Sequence, residues 1–387
     1  MADSFTESTS NSFFGRIWSS ILGALFGLAC ALLSVPVLYW NEGRTNFADV
    51  ARKAISVPAD ARSTEGEGKL VSVTGALTTP DVVGDPQYLR AGNHIALRRD
   101  AEMYAWEEEK TEKEEKQLGG SSKTITTYSY KTDWTSRPHD SSDFRHSEGH
   151  ENPSMPVHSE TFYASTARLG AFDFNPAQAE LPSFHRLQVS SRDDLAGSAS
   201  GARMGSGESQ TPQGEVLYQG RGSSSRPVVG DVRISFEAIE PLPTATMFGR
   251  REGTKIVAAA ISSDETFLRV LEGTREAAIG ELATEHSMTT CLLRLAGFVM
   301  MWLGTAALFG PINTFMDIVP IAGSAGRFLV TLALFPITFA ISTVVILVSI
   351  VAHSLVAMSL VALACIGAVI FHFKRKHADA PRPSPAV

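Results

Sequence analysis

"HSEGH" sets His146 and His150 four residues apart around Glu148. On a helix that spacing puts both imidazoles on one face, where they could hold a metal ion. Gly149 and the nearby Asn152-Pro153 argue against a helix. The metalloprotease order, with the acid directly after the first histidine, is also missing. The cluster therefore reads as a solvated loop, with no metal expected. A membrane-anchored hydrolase built on His146 or His150 is the weaker alternative.

Other chemistry is harder still to place. The chain has no G-x-S-x-G elbow, no phosphate-binding P-loop and no G-x-G-x-x-G after a strand. Serines, histidines and aspartates crowd into polar, turn-rich segments, so no triad is assembled by spacing. Glu107 and Glu109 belong to a solvated charged tract. No catalytic, cofactor-binding or metal-ligating residues are assigned, and the chain is expected not to be an enzyme. "PINTFMDIVPIAGSAG" (311–326) places Asp317 among prolines, glycines and apolar residues. With Arg327 it could mark a polar path, which is the basis for a channel or transport-related alternative.

The segments that would position these residues are sharply segregated. Ile17–Trp40, Leu295–Met316 and Phe328–Phe373 contain no Asp, Glu, Lys or Arg. A bilayer core about 30 Å thick needs roughly 20 apolar helical residues. The first two stretches fit one span each. The third would be about 69 Å long as a single helix, so it folds back near His353-Ser354. The expected fold class is an α+β membrane protein. Four transmembrane helices, one N-terminal and three C-terminal, flank a large β-rich soluble domain between the first and second. The boundaries expected are an N-terminal tail at 1–16, spans at 17–40, 291–310, 328–350 and 354–373, the domain at 41–290, an interfacial loop at 311–327 and a basic tail at 374–387. The first apolar run exceeds a signal peptide's usual ~7–15 residues, and no small-x-small cleavage site follows it. Trp18 and Tyr39-Trp40 sit at its two ends, where amphipathic rings favour the headgroup region.

Four spans put both termini on one side. Lys374–Lys376 makes that side cytosolic by the positive-inside rule, although Arg44, Arg52 and Lys53 after the first span pull the other way. Of three cysteines, Cys30 and Cys365 fall in spans and Cys291 at the mouth of one, so the soluble region has no disulfide framework. The net charge of −7 gives no case for nucleic-acid binding. "GALFG" sets Gly23, Gly27 and Ala31 at four-residue spacing, a face that lets helix backbones approach.

The soluble region reads as mostly β. "KLVSVTGAL" alternates, and "KTITTYSYKTDW" carries Tyr128, Tyr130, Thr132 and Trp134 at period two. Glu107–Lys116 has the composition of a solvated helix but no apolar stripe. It is read as the charged distal half of a hairpin closed through Gly119-Gly120, with a helical or disordered insertion as the alternative. Flexible insertions are expected near 107–123 and across the Gly/Ser-rich 190–214.

From "LYWNEGR" onward the chain resembles the transmembrane protein 43 (LUMA) family. "AEMYAWEEE", "YSYKTDW", "GHENPSMPVHSETF", "GDVRISF", "SMTTCLLRLAGFVMMWLG" and "FMDIVPIAG" carry the resemblance. It runs from about Gly23 to Phe373, with the spans in the same order; the 190–214 stretch and the two tails depart from it. The resemblance implies a multi-pass scaffold of the endoplasmic reticulum and inner nuclear membrane, organising nuclear-envelope complexes. It implies a lumenal domain, cytosolic or nucleoplasmic termini, the lipid bilayer as partner, homo-oligomers, emerin-like or lamin-like associates, and no enzymatic activity or cofactor.

Overall fold

The computed structural model describes residues 3–60, 62, 64–116, 121–189, 195–196, 203–206, 215–316, 320–354 and 358–359. These residues separate into two compact units: one chiefly of strands, the other chiefly of apolar helices.

The strand unit is built on two sheets. The first holds β1 (Asp3–Asn11), β6 (Ala96–Lys116), β7 (Ser122–Thr135), β8 (Glu160–Tyr163), β11 (His185–Leu187), β12 (Arg203–Ser206), β13 (Glu215–Gln219) and β14 (Val232–Ile239), with the path β1-β7-β6-β14-β13-β12. The second holds β2 (Ile55–Val57), β3 (Leu70–Thr78), β9 (Ala167–Leu169), β10 (Phe172–Phe174), β15 (Leu242–Glu252), β16 (Lys255–Val257) and β19 (Arg269–Glu272), with the path β19-β15-β16-β10-β9-β3-β2. Two small pairs complete it: β4 (Val83–Asp85) with β5 (Leu89–Gly92), and β17 (Ala259–Ala260) with β18 (Thr266–Phe267).

Alternating side chains feed the cores, and β15 of the second sheet is buried on both faces. Leu97, Ala101, Met103 and Ala105 of β6 join Ile234 and Phe236 of β14 in the first core. Val71, Val73 and Leu77 of β3 join Phe172, Met247 and Val270 in the second. A third cluster packs a short helix, α2 (Phe47–Lys53), with Ala48 and Ala51 against Phe248, Phe267 and Leu282. Full burial of each large side chain stabilises by about 1.5–3 kcal/mol.

The charged tract is strand, not helix. β6 runs unbroken to Lys116 and hydrogen-bonds to β7 as its sheet neighbour. Antiparallel pairing with β14 sets its direction, Val232 opposite Met103 and Ile239 opposite Ala96. The sheet carries this strand past its apolar half and outweighs helix propensity worth only tenths of a kcal/mol per residue. Within the tract Glu109 faces a cross-strand partner, Lys131 Nζ, at 3.9 Å; nearer the core Arg233 Nε lies 2.6 Å from Glu102.

Three further segments differ from expectation. Residues 3–11, within the expected N-terminal tail, form β1, paired to β7. Within the Gly/Ser-rich stretch, Leu195 is buried in the first core and 203–206 pairs with β13. Residues 190–194, 197–202 and 207–214 lie outside the described residues. The interfacial loop is helical where described: α4 covers Gly310–Met316, and Pro320 opens the next helix. Pro311 and Pro320 sit in first turns, where a missing N–H costs nothing.

The helical unit contains α1 (Phe13–Glu42), α4, α5 (Pro320–His353) and most of α3 (Arg275–Leu308). Ser12 caps α1, its Oγ accepting from Gly15 N at 3.1 Å. Among the described residues three helices are long and apolar enough to cross a membrane, within 14–53, 275–308 and 328–353. The expected fourth span, 354–373, falls almost wholly outside the described residues, as does the basic tail.

Candidate functional site

His146 and His150 come together as members of an aromatic cluster. His150 stacks on Tyr130 at 4.0 Å and meets Trp106 edge-on at 4.7 Å. His146 stacks on Phe5 of β1 at 4.3 Å. His150 is buried, and its Nδ1 lies 3.0 Å from the His146 carbonyl oxygen. Asn152 fastens this loop to β6, accepting from Trp106 N at 2.7 Å and donating to Trp106 O at 3.0 Å. The amide imitates a neighbouring strand, which gives "NP" a structural role. Among the described residues no three His, Cys, Asp or Glu side chains are grouped to hold a metal ion.

Tyr130 is fully buried, and its hydroxyl donates to Glu108 while accepting from His146 N at 2.9 Å. Burial first, and then the Glu108 hydrogen bond, push its phenol up to about 12. The same Glu108 accepts from Arg145 N at 2.6 Å. Glu108 is thus structural. Beside the loop lies an open cleft of about 500 Å³ lined by residues including Arg137, His139, Asn152 and His158.

Two other polar centres were not legible in the sequence. Arg99 is buried and donates to Asp85 at 2.6 Å, Glu160 at 3.1 Å and the His158 carbonyl at 3.0 Å. Asp231 is buried where the 220–230 loop closes. It accepts from the Tyr218 hydroxyl and from the N–H groups of Val228, Arg221 and Gly222. Burial alone would raise its carboxyl, but these donors outweigh it and hold the group below its ordinary value. Both centres satisfy buried charge locally.

The most constructed arrangement lies in the helical unit, at "WNEGR". Glu42 is nearly enclosed and receives both Nε and Nη2 of Arg294, each at 2.7 Å. Asn41, 1% exposed, donates to the Thr290 carbonyl at 3.2 Å. A Cβ on Gly43 would stand 2.5 Å from the His353 ring, so any larger residue there would have to displace that ring. Three consecutive residues at the end of α1 therefore tie it to α3 and α5. The sequence signal was an acid just after Tyr39-Trp40 and an arginine at the mouth of the next span.

The small-residue face is real in part. A Cβ on Gly27 would meet Ala307 at 2.5 Å and Gly304 O at 2.7 Å, and one on Gly304 would meet Ala31 N at 2.7 Å. Gly23 has nothing within 4 Å. Close backbone approach thus uses Gly27 and Ala31 alone. Asp317 lies outside the described residues, and Arg327 is placed only as part of α5.

Long helices with exposed apolar sides, joined through small residues and one charged pair, define a membrane protein carrying a β-rich region. The family model described as Transmembrane protein 43 matches residues 103–355, and the chain belongs to that family. It is 29% identical to Transmembrane protein 43 of Rattus norvegicus over 369 residues, 90% of this chain and 87% of that protein. The Homo sapiens protein is 29% identical over 368 residues, 89% and 87% of the two chains. Transmembrane protein 43 homolog of Drosophila melanogaster is 26% identical over 261 residues, 65% and 66% of the two. No solved structure matches.

Proposed function

We propose that this protein is a non-enzymatic, multi-pass scaffold of the endoplasmic reticulum and inner nuclear membrane that organises nuclear-envelope complexes. The observation that carries this reading over a channel is how the helices spend their polar groups. Thr305, Thr314, Thr338 and Ser349 each donate to a carbonyl one turn back in their own helix, at 2.6–3.0 Å. Ser342 donates to the Met301 sulfur at 3.2 Å. Hydroxyls so engaged brace the helices by spending their single proton internally, which leaves these side chains no hydroxyl donor for a passing anion. The similarity to Transmembrane protein 43 along most of both chains supports the same reading. The partners proposed are the bilayer, further copies of the chain, and emerin-like or lamin-like envelope proteins.

The strand unit is placed in the lumen and the basic tail in the cytosol, on the strength of Lys374–Lys376 and three apolar segments from 295 onward. The N-terminus is where the topology is contested. A single crossing by α1 would put it with the tail, whereas β1 pairs with β7, and paired strands share a compartment.

Proximity labelling of the intact protein, resolved into lumenal and cytosolic neighbours, tests the proposal. Envelope membrane proteins should dominate both sets; their absence from both would overturn it. In sealed microsomes, protease should trim a C-terminal tag and spare the strand unit. Trimming of an N-terminal tag in the same assay supports the crossing, and its protection supports β1.

A further inference from the structure

The "WNEGR" corner holds more polar groups than it uses. Both oxygens of Glu42 are already engaged by Arg294, and Oε1 accepts from Asn41 as well. Two residues on, Arg44 lies with its guanidinium carbon 6.0 Å from the Trp40 ring centre. Its Nη1 is shut off from solvent and has no hydrogen-bond partner. Asn41 spends its amide nitrogen on Thr290 O and Glu42. Its Oδ1 is buried without a partner, and so is Thr290 Oγ1. Three orphaned polar atoms thus occur within the residues that join α1 to α3, two of them on Asn41 and on the residue it grips.

Leaving such groups unpaired costs about 1–3 kcal/mol each, more for a charged one. An ordered water or a ligand must pair them. The neighbourhood says what kind of ligand. Tyr39 and Trp40 are exposed at the end of a long apolar helix, the position of an interfacial aromatic belt. A guanidinium N–H there seeks an anionic oxygen in a bidentate or charge-assisted geometry. Asn41 Oδ1 can only accept, so it seeks a donor. Thr290 Oγ1 can serve either. The complementary molecule carries a phosphate and, beside it, an N–H or O–H.

We infer that Asn41, Arg44 and Thr290 form a headgroup site for a glycerophospholipid whose phosphate pairs with Arg44 and whose ammonium or hydroxyl donates to Asn41. The site rests only on the helices lying in a bilayer. It does not depend on the compartment or partners proposed above, so the two can fail separately. Phosphatidylethanolamine and phosphatidylglycerol supply both halves. Phosphatidylcholine has the phosphate but no donor and binds more weakly.

The test uses the full chain purified in detergent and titrated with each lipid, read by native mass spectrometry and by thermal shift. Wild type should retain phosphatidylethanolamine or phosphatidylglycerol adducts and gain stability, with phosphatidylcholine weaker. Arg44→Ala should weaken retention about tenfold or more, the worth of one charge-assisted hydrogen bond. Arg44→Lys should recover part of the loss, and Arg62→Ala, at an exposed position of the strand unit, should retain lipid as wild type does. Thr290→Val provides a second route if Arg44→Ala does not fold, and should weaken retention in the same lipid order. Equal retention in wild type, Arg44→Ala and Thr290→Val overturns the site. Equal effects of phosphatidylcholine and phosphatidylethanolamine overturn the donor half. Inorganic phosphate or water-soluble glycerophosphoethanolamine stabilising as well as the lipid overturns the membrane source.

Discussion

The strand unit and the helical unit are built on opposite plans. In the first, Val71, Phe172, Phe236 and Met247 are buried, and charge is paired on strand surfaces. In the second, Trp18, Phe26, Leu32 and Phe328 are more than 60% exposed while Ser34, Asn41, Thr338, Ser342 and Ser349 are buried. Apolar surface of that extent is costly against water and free of cost against lipid. Polar groups inside a helix cluster then have nowhere else to find partners. The inversion shows which solvent each unit is made for, independently of any count of apolar residues.

Five tests would break or sharpen that contrast. The largest effect should come from the strand unit's buried aromatic. Tyr130→Ala removes a fully buried ring and frees Glu108 and the His146 N–H, costing about 3–5 kcal/mol. Trp134, only half-buried between Tyr104 and Arg233, should cost about 1–2 kcal/mol as alanine. Denaturant or thermal unfolding of the full chain, followed by tryptophan fluorescence for Tyr130→Ala and by circular dichroism for Trp134→Ala, separates the two; equal costs would contradict the burial described here.

In the helical unit, Glu42→Ala strands Arg294, which is partly solvated, so about 2–3 kcal/mol is expected rather than the full value for a deep pair. The double reversal Glu42→Arg with Arg294→Glu should recover part of the loss in a detergent thermal-aggregation assay. No recovery would mean that the pair acts through something other than its mutual charge.

Asp231→Asn keeps the shape but removes the charge that three N–H groups and a hydroxyl address, for about 1–3 kcal/mol. The folded carboxyl sits below its ordinary value of 3.8. Its contribution is therefore complete above that value and is lost as pH falls through the lower folded value. Wild type and Asp231→Asn should converge in stability in strong acid and differ at neutral pH. A constant gap down to the acid limit would refute the charge argument.

Gly304→Val drives a side chain into Gly27 O and Ala31 N, for about 1–3 kcal/mol of overpacking, whereas Gly23→Val meets open space. Comparable destabilisation by both in the detergent assay would deny the small-residue face. The smallest effect belongs to the hairpin's outer charges: Lys131→Ala breaks a 3.9 Å exposed pair and should leave the melting temperature within scatter.

Much of this architecture was written in composition. Charge-free runs announced the membrane helices, because a bilayer core tolerates little else. Period-two aromatics announced β7, and the lack of an apolar stripe rightly argued that Glu107–Lys116 was no packed helix. The sequence also placed Arg294 at the mouth of a span, but it could not name Glu42, 252 residues away, as its partner. Tertiary structure alone decided the rest. It put β1 on β7, made a strand of 203–206, carried Leu195 into a core, and turned two histidines with metal-like spacing into stacking partners of Tyr130 and Phe5. The reason is physical. Burial and helix or strand periodicity are local properties that a chain displays within a dozen residues. Pairing across a sheet and charge compensation at depth depend on which distant segment arrives, and only the folded chain brings Asn41 to Thr290 or Asp85 to Arg99.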